Sequence, residues 1–112
     1  MAFDGSELAA IRVALDDFCS RRSQSAGPVR YGYEIDAHSV FLNEMRPSLD
    51  RPSNWDCEPF AKFRFYRSRR EWLLYWVRSD GKWDRYEPAS PARKLATLVR
   101  HVDRDTHGCF MG

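Results

Sequence analysis

The chain has 112 residues, 43% hydrophobic and 14% aromatic, with 18 basic and 16 acidic side chains for a formal net charge of +2. A chain of this size is expected to fold as one domain, residues 1–112, and its aromatic content excludes extensive disorder. No apolar run approaches the ~20 residues of a membrane-crossing helix, and the start MAFDGSELAA has acids but no basic n-region. A membrane partner and a signal peptide are therefore not expected, and the expected location is the cytoplasm.

Ser6 reads as the N-cap of a first helix over about Glu7–Arg21, in which Leu8, Ile11, Leu15, Phe18 and Cys19 recur at helical spacing. Residues 20–28, SRRSQSAGP, read as a polar connector. In VRYGYEID, Tyr31, Tyr33 and Ile35 alternate with Gly32, Glu34 and Asp36, the period of a strand with one buried face. SVFLNEMR follows as a second strand, ended by Pro47 and paired with the first as a hairpin. Residues 47–59, PSLDRPSNWDCEP, read as a long loop, a length that points to binding or to a lid. Trp55 is expected to plug one end of the core, and Arg51 and Trp55 are the loop's candidates for ligand contact. FAKFRFYR, EWLLYWVR and KWDRYE read as strands three to five, with Asp80-Gly81 a hairpin signal between the last two. Ser90-Pro91 reads as the N-cap and first residue of a second helix, whose apolar stripe is Leu95, Leu98, Val99 and Val102. The tail THGCFMG ends in apolar residues and is expected to dock. The order α-β-β-β-β-β-α predicts an α+β fold: a five-stranded antiparallel meander with an N-terminal and a C-terminal helix packed on it.

Catalytic signals are sparse. Cys19, Cys57 and Cys109 are odd in number and lack metal-ligand spacing, so they read as free thiols in a reducing compartment, and no zinc or other cofactor is expected. Glu34 and Asp36 share a strand face and, with Glu44, could hold a divalent ion in a metal-dependent hydrolase or nuclease. Such enzymes commonly place a lysine near the second acid; here Arg46 follows Glu44. His38 falls at a hairpin turn and reads as solvated. No Ser/His/Asp spacing or glycine-rich phosphate loop is present. No catalytic residue is assigned, and a non-enzymatic role leads.

Charge is unevenly distributed: residues 1–59 carry net −4, residues 60–85 net +5 and residues 86–112 net +1. A two-residue turn at Ser68-Arg69 would place Phe65, Phe63 and Ala61 opposite Trp72, Leu74 and Trp76 on one face, a credible core. The other face would pair Tyr66 with Glu71, Arg64 with Leu73 and Lys62 with Tyr75. Taking Asp80-Gly81 as the next turn sets Tyr75 opposite Tyr86 and Val77 opposite Asp84. The second face then displays Lys62, Arg64, Tyr66, Tyr75 and Tyr86, and Arg67, Arg69 and Arg70 crowd the adjoining turn. Tyrosines amid basic groups on a sheet suit the stacking of unpaired bases and the tracking of phosphates, so nucleic acid or another polyanion is the leading partner. Ordinary cross-strand pairing accounts for the same residues. Strand four is apolar on both sides, which favours as a rival a homodimer or protein-interaction surface. Which face each helix covers decides between them.

The segments YEIDAHSVFL and EMRP, then AKFRFYRSRREWLLYW, KWDRYEP and the closing GCFMG, resemble the bacterial family called domain of unknown function 3024, over about residues 31–112. That family commonly has Asp-Gly in the first hairpin turn where this chain has Asp36-Ala37, which bears on the turn type and not on the hairpin. The resemblance implies a small, stand-alone bacterial protein and carries no activity or catalytic residue with it.

Overall fold

The computed structural model describes residues 3–25, 27–51 and 53–111. Asp4, not Ser6, caps the first helix, α1 (Gly5–Ser25). The Asp4 carboxylate accepts the Glu7 N–H at 2.8 Å and the Glu7 carboxylate accepts the Asp4 N–H at 2.9 Å. This reciprocal capping box satisfies two otherwise orphan donors. The helix also runs past Arg21 into the expected connector. Its arginines and glutamine are good helix formers, and no glycine interrupts it before Gly27, at φ +65°.

Five strands follow: β1 (Arg30–Asp36), β2 (Ser39–Pro47), β3 (Trp55–Tyr66), β4 (Glu71–Val77) and β5 (Trp83–Arg85), in the spatial order β1-β2-β3-β4-β5 and antiparallel throughout. A C-terminal helix, α2 (Leu95–Arg104), completes the expected α+β arrangement. The β1–β2 hairpin turns on Ala37 and His38, with Ala37 at φ +52°.

The long loop expected over residues 47–59 is shorter than expected: Pro47 and residues 55–59 belong to strands. β3 already begins at Trp55, opposite Pro47, and pairs Asp56 with Arg46 and Cys57 with Met45. Pro59, read from sequence as loop, sits where the β2–β3 register shifts beside Leu42 and Asn43. A bulge is one of the few places where a strand tolerates a residue without an N–H. The same irregularity leaves Phe60 turned into the core. Trp55 does not plug the core: it is 50% exposed.

Ser90-Pro91 does not start α2. The peptide bond between them is cis, and the Ser90 hydroxyl accepts the Leu74 N–H at 2.8 Å. The chain then exchanges two backbone hydrogen bonds between Trp72 and Ala92, 2.7 and 3.0 Å, and so covers the edge of β4 beyond the short β5. The helix starts only at Leu95, with Lys94 as an N-cap that makes no side-chain cap bond.

Both helices pack on one face of the sheet. Ile11, Leu15 and Phe18 of α1 and Leu98 and Val102 of α2 join Phe63 of the sheet in one buried cluster. The Tyr33 hydroxyl, on the same face, donates to Asp16 of α1 at 2.8 Å. The helices are tied to each other through Asp103, which accepts from Arg22 at 2.6 and 2.9 Å and from Arg21 at 3.1 Å. The tail docks as expected. The Asp105 carboxylate accepts the N–H groups of Phe110 and Met111 at 3.0 and 2.8 Å, and the Phe110 ring lies 5.1 Å from that of Tyr86.

Candidate functional site

The β3–β4 pair has the register read from the sequence. Phe65, Phe63 and Ala61 lie opposite Trp72, Leu74 and Trp76, and Tyr66, Arg64 and Lys62 lie opposite Glu71, Leu73 and Tyr75. The connection spans residues 67–70 and is not a two-residue turn. Backbone bonds of 3.2 Å close it from Arg69 to Tyr66 and from Arg70 to Arg67, with Arg70 at φ +51°.

The β4–β5 register differs by one residue from that expected. Tyr75 pairs with Arg85 and Val77 with Trp83. The connection has three residues rather than two: Arg78 and Lys82 are bridged by a 2.8 Å bond, and Gly81 at φ +84° absorbs the extra residue. A one-residue slip moves each side chain to the opposite face. Tyr86 therefore leaves the outer face and is 4% exposed beneath the C-terminal tail. Arg85 takes the outward position.

The outer face, opposite the helices, is an array of rings and cations. Lys62 Nζ lies 5.3 Å from the Tyr75 ring centre and 5.7 Å from that of Phe41. The guanidinium groups of Arg64 and Arg69 lie 5.1 and 4.9 Å from the Tyr66 ring. Phe41 meets Trp83 at 5.9 Å. Leu73, 6% exposed, is buried apart from the main core cluster, on this outer side. The hydroxyls of Tyr66 and Tyr75 share a hydrogen bond of 3.1 Å. Burial, then that bond, raises the Tyr75 pKa above the ordinary tyrosine value. Tyr75 thus stays protonated at neutral pH and adds no negative charge to the face.

The remaining candidates lie elsewhere. Arg67 turns to the helix side, donating to the Glu7 carboxylate at 2.8 and 3.0 Å and lying 5.3 Å from the inward Phe65 ring. The hydrogen bond from Arg67 holds the Glu7 carboxyl below its usual range. Arg70 also lines the helix side. Trp55 starts β3, roughly 35 Å of extended strand from Tyr66, and Arg51 lies in the connection before it. Three members of the face were missed from the sequence: Phe41, Trp83 and Arg85. Phe41 was legible, because Val40 and Leu42 flank it as inward residues. Trp83 and Arg85 were not, because their direction depends on the length of the turn.

The acidic candidates are split. Glu34 and Asp36 alternate with the inward tyrosines, whereas Glu44 lies opposite Tyr31 and is ion-paired with Arg46. Among the described residues no group of three or more His, Cys, Asp or Glu side chains could hold a metal ion. The thiols are not activated: burial pushes Cys19 up to about 12, and burial followed by a nearby carboxylate raises Cys57 and Cys109. Among the described residues no helix is long and apolar enough to cross a membrane.

The family model described as Domain of unknown function (DUF3024) matches residues 3–112, essentially the whole chain. Comparison with curated proteins and with solved structures returns no match.

Proposed function

The chain belongs to the domain of unknown function 3024 family, and on that premise we propose that it is a non-enzymatic module binding single-stranded nucleic acid on its outer sheet face. The observation that carries this reading is the convergence of Phe41, Tyr66, Tyr75 and Trp83 with Lys62, Arg64, Arg69 and Arg85 on the side of the sheet away from both helices. Every base has a π-face, so a ring on an open sheet can take an unpaired base of any identity, and neighbouring cations neutralise the phosphates. Duplex bases are stacked on one another and offer no such face. Glu34 and Asp36 of β1 bound the array on one side and direct a polyanion along β3 to β5.

The test is fluorescence anisotropy of short labelled DNA and RNA, single-stranded and duplex, at low and physiological salt. Preference for single strands, with affinity falling steeply as salt rises, is expected. Absence of binding at low salt, or binding undiminished when Lys62, Arg64, Arg69 and Arg85 are all replaced by alanine, overturns the reading. A second reading has its own warrant in the apolar members of the same face, Phe41, Leu73, Val77 and Trp83: a second copy of the chain would cover them. Light scattering that shows a monomer at high concentration removes it.

A further inference from the structure

On the helix side, between the first half of α1, the β3–β4 connection and the start of α2, lies an open cavity of about 1010 Å³. This matches the upper end of ordinary ligand pockets, about 300–1,000 Å³. Its walls are apolar: Ala10, Val13 and Ala14 of α1 face Trp72 of the sheet and Leu95 of α2. Val13 is 75% exposed, an apolar branched side chain left in solvent beside a groove. The rim is cationic, with Arg70, Arg93 and Lys94. The rim acids Asp4 and Glu7 are already engaged, in the α1 capping box and with Arg67. Arg93 and Lys94 form no ion pair among the described residues.

Apolar walls that end in the unpaired cations Arg93 and Lys94 are complementary to one chemistry. We propose that this groove binds an amphipathic anion: an alkyl or acyl chain lying along Val13 and Trp72, with its carboxylate or phosphate head at Arg70, Arg93 and Lys94. Burying the chain rewards each methylene, and the head finds at Arg93 and Lys94 two cations that no acid among the described residues pairs, beside Arg70, whose charge also acts on Glu7. None of these residues belongs to the outer face, so the proposal stands or falls separately from nucleic-acid binding.

The test is calorimetric titration of the full chain with dodecyl phosphate and dodecanoate, below their micelle-forming concentrations. Octyl phosphate and dodecyltrimethylammonium serve as shorter and cationic controls. A second arm is sedimentation with phosphatidylglycerol vesicles. Each methylene contributes up to about fourfold in affinity, so octyl phosphate should bind at least ~10-fold more weakly than dodecyl phosphate. The cation should bind at least as poorly. Val13→Asp and the double variant Arg93→Glu/Lys94→Glu change exposed positions and should keep the parental melting temperature and lose binding. Lys62→Glu, on the outer face, should retain it. Binding of the monomeric anions identifies a free amphiphile, and vesicle binding lost in the same variants identifies a lipid headgroup; either supports the proposal. Equal binding of anion and cation overturns it. So does binding to neither monomer nor vesicle, or parental affinity in both groove variants.

Discussion

The hydroxyls of Tyr66 and Tyr75 meet at 3.1 Å across the β3–β4 pair, while Arg64 and Lys62 sit over their respective rings. The tip-to-tip bond and the flanking cations together set the orientation of both rings before any partner arrives. A pre-set platform loses less side-chain freedom on binding than mobile rings would.

Tyr75→Ala should therefore weaken single-strand binding by about 1–3 kcal/mol, roughly 5- to 150-fold, the range for loss of one base–ring stack. Tyr75→Phe keeps the ring and loses only the bond to Tyr66, and should bind within about threefold of the parent. Anisotropy titrations of the two variants check this. Equal losses in both would mean that the hydroxyl, and not the stack, matters.

The cations make a different prediction. A lysine or arginine that neutralises a phosphate releases condensed counterions, so Lys62→Ala or Arg64→Ala should each reduce the salt slope for single strands by about 0.7. The affinity loss should be similar for all sequences, because phosphate contacts carry no base information. Titrations at several salt concentrations measure the slope directly, and an unchanged slope would place those residues outside the contact.

Asp103 governs the helix pair. Burial alone would raise its carboxyl pKa, but hydrogen bonds and charge from Arg22, reinforced by Arg21, hold it below the usual range. The folded state therefore binds this proton less readily than the unfolded chain. The resulting stabilisation is present in full above about pH 5 and is lost as the pH falls through the ordinary aspartate value and on to the folded one. Asp103→Asn should cost about 1–2 kcal/mol at neutral pH, since charge-assisted bonds to two arginines are weakened. Its stability should also fall less steeply on acidification. Urea unfolding at a series of pH values from about 7 to about 3 separates the two effects.

How much of this was legible in the sequence depended on pattern length. β3 alternates over residues 61–66, and although β4 is apolar on both sides, the turn between them sets Trp72 and Leu74 opposite Phe65 and Phe63, the register observed. β5 has three residues, and neither Trp83 nor Tyr86 declares which side is buried. There the turn decided, and Asp80-Gly81 is compatible with loops of two or three residues. The helical stripes showed that α1 and α2 each bury a face, but amphipathicity does not say which side of a sheet a helix takes. Pro59 and Trp55 misled for a local reason: proline marks a loop except at a bulge.

Ala37 offers a gain in stability. It occupies φ +52° at the exposed tip of the β1–β2 hairpin, a region that costs an L-residue about 1–2 kcal/mol and glycine almost nothing. Glycine also makes the unfolded chain freer, which returns part of that gain. Ala37→Gly should therefore stabilise by about 0.5–1 kcal/mol, seen as a higher urea midpoint at constant slope. Nucleic-acid binding should change by less than about threefold: the neighbouring His38 carbonyl accepts the Phe65 N–H at 2.8 Å, but residue 37 itself adds neither a ring nor a cation to the face.

Arg85 and Tyr86 are adjacent in sequence and point to opposite faces, which makes them a direct test of where the site is. Arg85 pairs with Tyr75 on the outer face, whereas Tyr86 is 4% exposed and packs on Phe110. Tyr86→Ala should cost about 3 kcal/mol of stability, as for other large core truncations, and leave the affinity of the folded fraction unchanged. Arg85→Ala should alter stability by no more than about 0.5 kcal/mol, and should weaken single-strand binding and lower its salt slope. Unfolding curves and binding titrations on the same two proteins give four numbers. The reverse assignment, with Tyr86→Ala stable but unable to bind, would restore the two-residue turn at Asp80-Gly81 and move the platform by one residue.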